Sequence, residues 1–169
     1  MIQTKIPDFE IRFAQPSDVP ILLELIEELA EYEKLTHEVV ATEEILHASL
    51  FGDKKVAEAI LGYYQGKPVS FAVFFANMST FLGRSGIYLE DLYVKPEMRG
   101  QGIGKAMLSS VAKLAAERNC GRLEWSVLDW NQPAIAFYQK LGAVPMSEWT
   151  VFRLTGQALT DLSQEFERS

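Results

Sequence analysis

The chain has 169 residues, 48% of them hydrophobic and 11% aromatic, and a formal net charge of −7. That length suits one well-packed domain and is short for two, and the missing basic face argues against a nucleic-acid partner. One cysteine, Cys120, excludes an internal disulfide and Cys-based metal sites, and two histidines are thin material for any other metal. No apolar run approaches the roughly 18 residues of a spanning helix, and the N-terminus lacks a signal h-region. The expectation is a soluble, cytoplasmic protein with no membrane partner and no metal. The acidic balance is common among soluble proteins, and it also suits a cleft that draws in a cationic substrate.

Phe9, Ile11 and Phe13 alternate with charged residues and predict a strand. Pro16-Ser17-Asp18 supplies a turn and an N-cap. Ile21, Leu22, Leu25, Ile26, Leu29 and Tyr32 then form a helical stripe, and Glu24, Glu27, Glu28 and Glu31 face away from it as a solvated side. Tyr32 and Glu33 fall where that helix gives way to a loop, the place suited to ligand contact. Thr42, followed by Glu43 and Glu44, reads as the cap of a second helix that stops at Gly52, with His47 on its surface.

Residues 56–64 and 69–77 are β-rich runs separated by Gln65-Gly66-Lys67-Pro68, a hairpin signal. A third run, 86–94, follows a loop at 78–85, so the three predict an antiparallel meander. Ala106, Met107, Val111, Leu114 and Ala115 repeat at helical spacing up to Asn119, and Gly121 ends that helix. Cys120, next to it, reads as a small buried side chain. Residues 123–128 predict a strand, and Asn131-Gln132-Pro133 starts a helix ended by Gly142. Strand, helix, strand in this length requires a parallel pair with a right-handed crossover. Residues 151–154 predict a further short strand, and Leu159, Leu162 and Phe166 a terminal amphipathic helix. With no repeat and no linker, residues 1–169 read as one mixed α/β domain.

The organising stretch is residues 89–105, LEDLYVKPEMRGQGIGK. An apolar strand pattern breaks at Pro96, and a turn punctuated by Gly100, Gly102 and Gly104 runs straight into a helix. Strand, Gly-rich turn and helix point backbone N–H groups at an anion. With Arg99 and Lys105 beside it, the turn suits a pyrophosphate. A Walker loop needs Ser or Thr after the lysine, and here Ala106 follows Lys105. A dinucleotide fingerprint needs G-x-G-x-x-G, and the spacing here is G-x-G-x-G.

The flanks carry more. Arg-Gly-Gln-Gly-Ile-Gly follows a strand ending Leu-Tyr-Val, with Asn131-Gln132-Pro133-Ala134 and Phe137-Tyr138-Gln139-Lys140-Leu141-Gly142-Ala143 downstream. Together these resemble the GCN5-related N-acetyltransferase (GNAT) superfamily. Leu29-Ala30-Glu31-Tyr32-Glu33-Lys34, Tyr88-Leu89-Glu90-Asp91-Leu92-Tyr93-Val94 and Asp129-Trp130-Asn131-Gln132-Pro133 resemble its diamine acetyltransferase branch, which holds the spermidine/spermine and thialysine enzymes. The resemblance implies an α/β (α+β) fold, with an antiparallel N-terminal meander and a parallel strand pair around an acetyl-CoA site, flanked by helices.

It also implies roles. The acetyl-CoA pyrophosphate would lie on Arg99, Gly100, Gln101, Gly102, Ile103, Gly104 and Lys105. The pantetheine arm would pair with the backbone of Leu92, Tyr93 and Val94 as an added strand. Asn131, Gln132, Pro133 and Ala134 would hold its far side. Tyr138 matches the general acid, and Glu90 the carboxylate that helps remove the amine proton. Tyr32, Glu33, Asp91 and Trp130 would meet the acceptor. Trp125 and Trp149 read as core or interface aromatics. After Ala143 the acidic pair expected for a distal amine has no one-to-one match, and Glu148 is the candidate.

The chemistry is consistent with those roles. An alkyl amine of pKa near 10.4 is roughly one part in a thousand or less nucleophilic at pH 7. A carboxylate can orient the ammonium and pass its proton to water, and a phenol can protonate a departing thiolate. In a strand, adjacent Glu90 and Asp91 would point to opposite faces, so one of them, Glu90, would line the cleft. The reading is direct acetyl transfer to a small cationic amine by an expected homodimer. A protein or peptide N-acetyltransferase and a non-catalytic acetyl-CoA sensor stand as alternatives.

Overall fold

In the computed structural model, which describes residues 2–168, two antiparallel strands open the chain: β1 (Ile2–Gln3) and β2 (Phe9–Phe13). A 3-10 turn, Pro16–Asp18, leads into α1 (Val19–Tyr32), and a second, Thr36–Glu38, into α2 (Glu43–Phe51). Thr42 caps α2, its Oγ1 accepting from the Ile45 N–H at 3.2 Å. Asp18 was the expected cap of α1, but its carboxylate is spent elsewhere. It accepts from the Gln15 N–H at 2.7 Å and from both Arg12 Nη groups at 2.6 and 2.9 Å. This part-buried pair, with Arg12 stacked 4.7 Å from the centroid of the Tyr63 ring, ties β2 to the start of α1. The bonds from Arg12 hold the Asp18 carboxyl below the usual carboxylate range.

Three long strands follow as the expected meander: β3 (Glu58–Tyr64), β4 (Lys67–Ser79) and β5 (Arg84–Val94). The β3–β4 turn is tighter than the four residues expected. Tyr64 pairs with Lys67 across Gln65 and Gly66, both at positive φ (49° and 75°), the conformation of a two-residue hairpin loop. After a 3-10 turn (Pro96–Met98), α3 (Ile103–Glu117) crosses to β6 (Leu123–Trp125), which runs parallel to β5. The sheet order is β1-β2-β3-β4-β5-β6, all antiparallel except the last pair.

The helices sandwich this sheet. Leu22, Leu25, Leu29 and Leu50 of α1 and α2 pack on Ala59, Leu61, Phe71 and Tyr93. The alternating residues Ile60, Ala72 and Phe74 are equally buried on the other face, where Ile103, Met107 and Val111 of α3 lie against β4 and β5. Each large apolar side chain so buried contributes about 1.5–3 kcal/mol.

These elements form one compact unit, Met1–Ser126; residues Val127–Ser169 form a second. The second unit carries α4 (Gln132–Lys140) and α5 (Gly156–Arg168). Three sequence expectations are corrected. The strand expected at 123–128 stops at Trp125, because its partner β5 leaves regular pairing one residue past Leu89. Residues 151–154 form no strand: Val151 is 85% and Phe152 92% exposed, and no ladder reaches them. Apolar β-formers alone do not make a strand without a partner edge. Cys120, expected to be buried, is half-buried, with its Sγ 3.7 Å from the Ser85 Oγ.

Candidate active site

The Gly-rich turn stands where β5 hands over to α3. Gly100 and Gly102 take φ of 76° and 83°, the left-handed region that costs other residues about 1–2 kcal/mol. A Cβ at Gly100 would meet nothing within 4 Å, so conformation, not crowding, calls for glycine there. Gly102 is also the N-cap of α3 and has no side chain to offer. The first helical bond is Ala106 N–H to Gly102 O at 3.0 Å, which leaves the N–H groups of Ile103, Gly104 and Lys105 without helical acceptors. Ile103, at 1% exposure, anchors the first turn of α3 in the core. An uncapped 15-residue helix headed by two left-handed glycines, with Lys105 exposed beside it, is a cradle for a phosphate group.

The strand before the turn has an open edge. β6 pairs with β5 only from Ile87 to Leu89, whereas β4 pairs with β5 on to Val94. Among the described residues no strand covers the outer edge at Leu92, Tyr93 and Val94, which leaves it open to an extended ligand.

The middle of β5 departs from simple alternation. Leu89 pairs with Phe74 and Asp91 with Val73, so adjacent residues of β4 face residues two apart on β5. Glu90 is the extra residue of a bulge. The bulge removes the strict alternation on which the expectation of opposite faces for Glu90 and Asp91 rests. Glu90 is exposed, and Asp91 is the part-buried member. Burial first, then the charges of Glu90 and Glu33, raise the Asp91 carboxyl to about 6.

Glu33 reaches this group from the end of α1. The helix closes with Lys34 N–H to Glu31 O at 3.1 Å and Leu35 N–H to Ala30 O at 2.8 Å, with Lys34 at a φ of 61°. This is a Schellman closure with lysine where glycine is usual, and the strained end carries Tyr32 and Glu33. Burial raises the Glu33 carboxyl as well. Among the described residues none of Glu33, Glu90 and Asp91 pairs with a cation. Asp91 thus carries the charges of two neighbouring carboxyls with no cation paired to any of the three, an arrangement chemically suited to a positive ligand.

Neighbouring charges are spent on structure. Glu28, expected on a solvated face, accepts from the Tyr93 hydroxyl at 3.1 Å and pairs with Lys95 at 3.0 Å. Burial and that bond push the Tyr93 phenol up to about 12, so it stays neutral. Glu24, Glu27, Glu28 and Glu31 line a cavity of about 450 Å³ with Thr36, Val39 and Ala41. Arg99 directs its Nε–H to Val94 O at 2.9 Å and lays its guanidinium over Tyr32 and Tyr93. Its side chain therefore leaves the turn it opens.

In the second unit, Asn131 is 9% exposed and caps α4, accepting from the Ala134 N–H at 3.4 Å. Gln132 Nε2 donates to Asp129 O at 3.0 Å, and Pro133 sits in the first helical turn. Trp130 is half exposed, at 51%. Tyr138 is part-buried, its ring 5.4 Å from that of Phe137. Glu148 is exposed in a segment without regular structure.

The chain belongs to the Acetyltransferase (GNAT) family, whose model matches residues 21–143. It is therefore an acyltransferase, and enzymes of this family use acetyl-CoA as co-substrate. It is 40% identical over 164 residues to the thialysine N-epsilon-acetyltransferase of Bos taurus, across 90% of this chain and 96% of that one. It is 32% identical over 194 residues to the L-ornithine N5-acetyltransferase NATA1 of Arabidopsis thaliana, covering 88% and 85% of the two. Among solved structures, an integron cassette protein, VCH_CASS6, from the mobile metagenome of V. cholerae superposes with a TM-score of 0.79. It is 26% identical, covering 93% of this chain and 98% of that one. The uncapped α3 terminus and the open β5 edge fit the pyrophosphate and the amide-bearing arm of acetyl-CoA. Among the described residues no His, Cys, Asp and Glu group could hold a metal ion, and no helix is long and apolar enough to cross a membrane.

Proposed function

We propose that residues 1–169 act as one N-acetyltransferase domain that moves an acetyl group from acetyl-CoA directly to the primary amine of a small cationic acceptor. Thialysine-like amino acids, diamines and polyamines form the acceptor class. The observation that carries the reading is the unpaired cluster of Glu33, Glu90 and Asp91 beside the end of α1. The names of the two relatives agree with it, since both act on compounds that bear a side-chain amine. The family match crosses from the first compact unit into the second, which supports a single working domain.

In this reading acetyl-CoA supplies a thioester-activated acetyl group, held by the backbone of residues 92–94, by 99–105 and by Asn131, Gln132, Pro133 and Ala134. Tyr32, Glu33, Trp130 and Glu148 contact the acceptor. Asp91, with Glu90 beside it, orients the ammonium and accepts its proton or relays it to water. An ordinary carboxyl near 3.8 lies more than six units below an alkyl ammonium, and raising Asp91 to about 6 narrows that gap by about two, or roughly 100-fold in proton-transfer equilibrium. Tyr138 supplies the proton to the departing thiolate.

An amine panel read by thiol release tests the reading. Thialysine, ornithine or spermidine should exceed a lysine peptide by about 100-fold in kcat/KM, a gap that separate pockets for different acceptors can supply. A 100-fold preference for the peptide would overturn it, and no thiol release with any amine would favour a sensor.

A cytoplasmic homodimer completes the proposal. Every described side chain from 144 to 166 is exposed, including Trp149 at 72%, Phe152 at 92% and Phe166 at 88%. Apolar side chains at this density on a monomer call for a cover, and a second copy supplies one. Light scattering should give twice the chain mass of 19.0 kDa. A monomer at micromolar concentration would reject the dimer.

A further inference from the structure

Arg99 opens the anion turn but sends its guanidinium elsewhere. Nε–H donates to Val94 O at 2.9 Å, and Cζ lies 4.4 Å from the Tyr32 ring centroid and 5.6 Å from that of Tyr93. The Nε bond is the one hydrogen bond the guanidinium makes among the described residues, and the group is exposed. Three elements therefore meet on one planar side chain. They are the turn that would hold the cofactor, the open edge of β5, and the last residue of α1.

Tyr32 is followed by Glu33 and by Lys34 at a φ of 61°, so the helix end under Arg99 is the strained one and carries an acid of the acceptor cluster. A strained terminus keeps its geometry only when surrounding contacts over-determine it. The stack of Arg99 on Tyr32 is such a contact, and it comes from the turn.

We propose that Arg99 is a positioning residue for the acceptor site. Through its stack on Tyr32 it transmits order in the 99–105 turn to the Tyr32–Glu33 end of α1, so that occupancy of the turn firms the acceptor pocket. This builds on the acetyl-transfer reading and adds a role for Arg99 other than contact with phosphate.

Lysine separates the two roles. Arg99→Lys keeps a point charge able to attract a phosphate. It loses the planar face and the Nε–H that make the Tyr32 stack and the Val94 bond. The first measurement is amide hydrogen exchange of residues 30–38 with and without CoA, alongside calorimetric CoA binding. In the wild type, CoA should slow exchange of this segment. In Arg99→Lys, CoA should bind within about fivefold of the wild type while the slowing disappears, since the substitution removes only the stack and one hydrogen bond.

The second measurement is kinetic, with thialysine as acceptor. Arg99→Lys should raise the acceptor KM about tenfold and leave kcat within about threefold. Tyr32→Leu should raise KM at least as much, since it also loses its own contact with the acceptor, and adding Arg99→Lys to it should raise KM no further, because the stack between the two is already gone. Three results would overturn the proposal: no effect of CoA on residues 30–38 in the wild type, wild-type slowing retained in Arg99→Lys, or CoA binding lost in Arg99→Lys. If the wild type acetylates no amine, the acetyl-transfer reading falls, and the exchange measurement alone decides whether the turn and the helix end are coupled.

Discussion

Replacing Asp91 with asparagine is expected to cut acetyl transfer by about 10²- to 10³-fold at pH 7, the usual contribution of a positioned proton acceptor, and to make the protein more stable. The carboxyl is raised from 3.8 to about 6, by burial first and then by Glu90 and Glu33. An acid whose folded pKa is raised holds a proton in the native state that the unfolded chain has already lost. Stability therefore falls as the pH rises from about 4 to about 6, and the cost is complete above that window. A shift of this size corresponds to on the order of 2–3 kcal/mol, the ceiling for what the substitution returns.

Asparagine carries no charge, so the gain of Asp91→Asn should be near zero at pH 4 and largest above pH 7. Urea denaturation at several pH values reads it. A gain that does not vary with pH, or one that grows toward acid, would show that desolvation of Asp91 is not its source. The same ionisation should appear in kinetics, with wild-type kcat/KM falling below about pH 6 as Asp91 gains its proton. A bound ammonium favours the charged carboxylate, so the limb in kcat should lie at lower pH than the limb in kcat/KM. Both results together would make Asp91 a case of stability given up for activity, a common trade in enzymes.

How much of this was legible in the sequence follows from which interactions are local. The meander, the helical stripes of α1 and α3 and the Thr42 cap rest on spacing over a few residues, and the structure has them. The Gly-rich turn was visible for the same reason, since positive φ at Gly100 and Gly102 needs a residue type the eye can find. The Glu90 bulge was not visible. A bulge replaces strict alternation with one extra residue, and only the partner strand reveals it, here through the pairing of Val73 and Phe74. That one residue decides which of two adjacent acids is buried. The Glu28–Lys95 pair and the reach of Arg99 to Tyr32 join residues 67 apart in the chain in each case, and no short-range pattern records them. The failed strand at 151–154 is the converse case, where local preference was present and a partner edge was not.

Tyr138→Phe is expected to lower kcat by about 100-fold while leaving cofactor affinity and fold intact. The substitution removes one hydroxyl and leaves the backbone in place. Tyr138 supports the end of α4 through its carbonyl, which accepts from the Leu141 N–H at 3.0 Å and the Ala143 N–H at 3.1 Å, and phenylalanine keeps both bonds. The ring beside Phe137 is also retained. Unchanged CoA binding by calorimetry and an unchanged melting temperature would establish that the variant is a clean probe. The loss should then depend on the leaving group, because a proton donor matters most when the departing anion is basic. With acetyl-CoA the departing thiolate has a pKa near 8.5 by analogy with cysteine, and the loss should be full. With an activated aryl acetate, whose leaving group departs unprotonated, wild type and variant should turn over alike. Equal losses with both donors would mean that the hydroxyl of Tyr138 positions the reactants and does not deliver the proton.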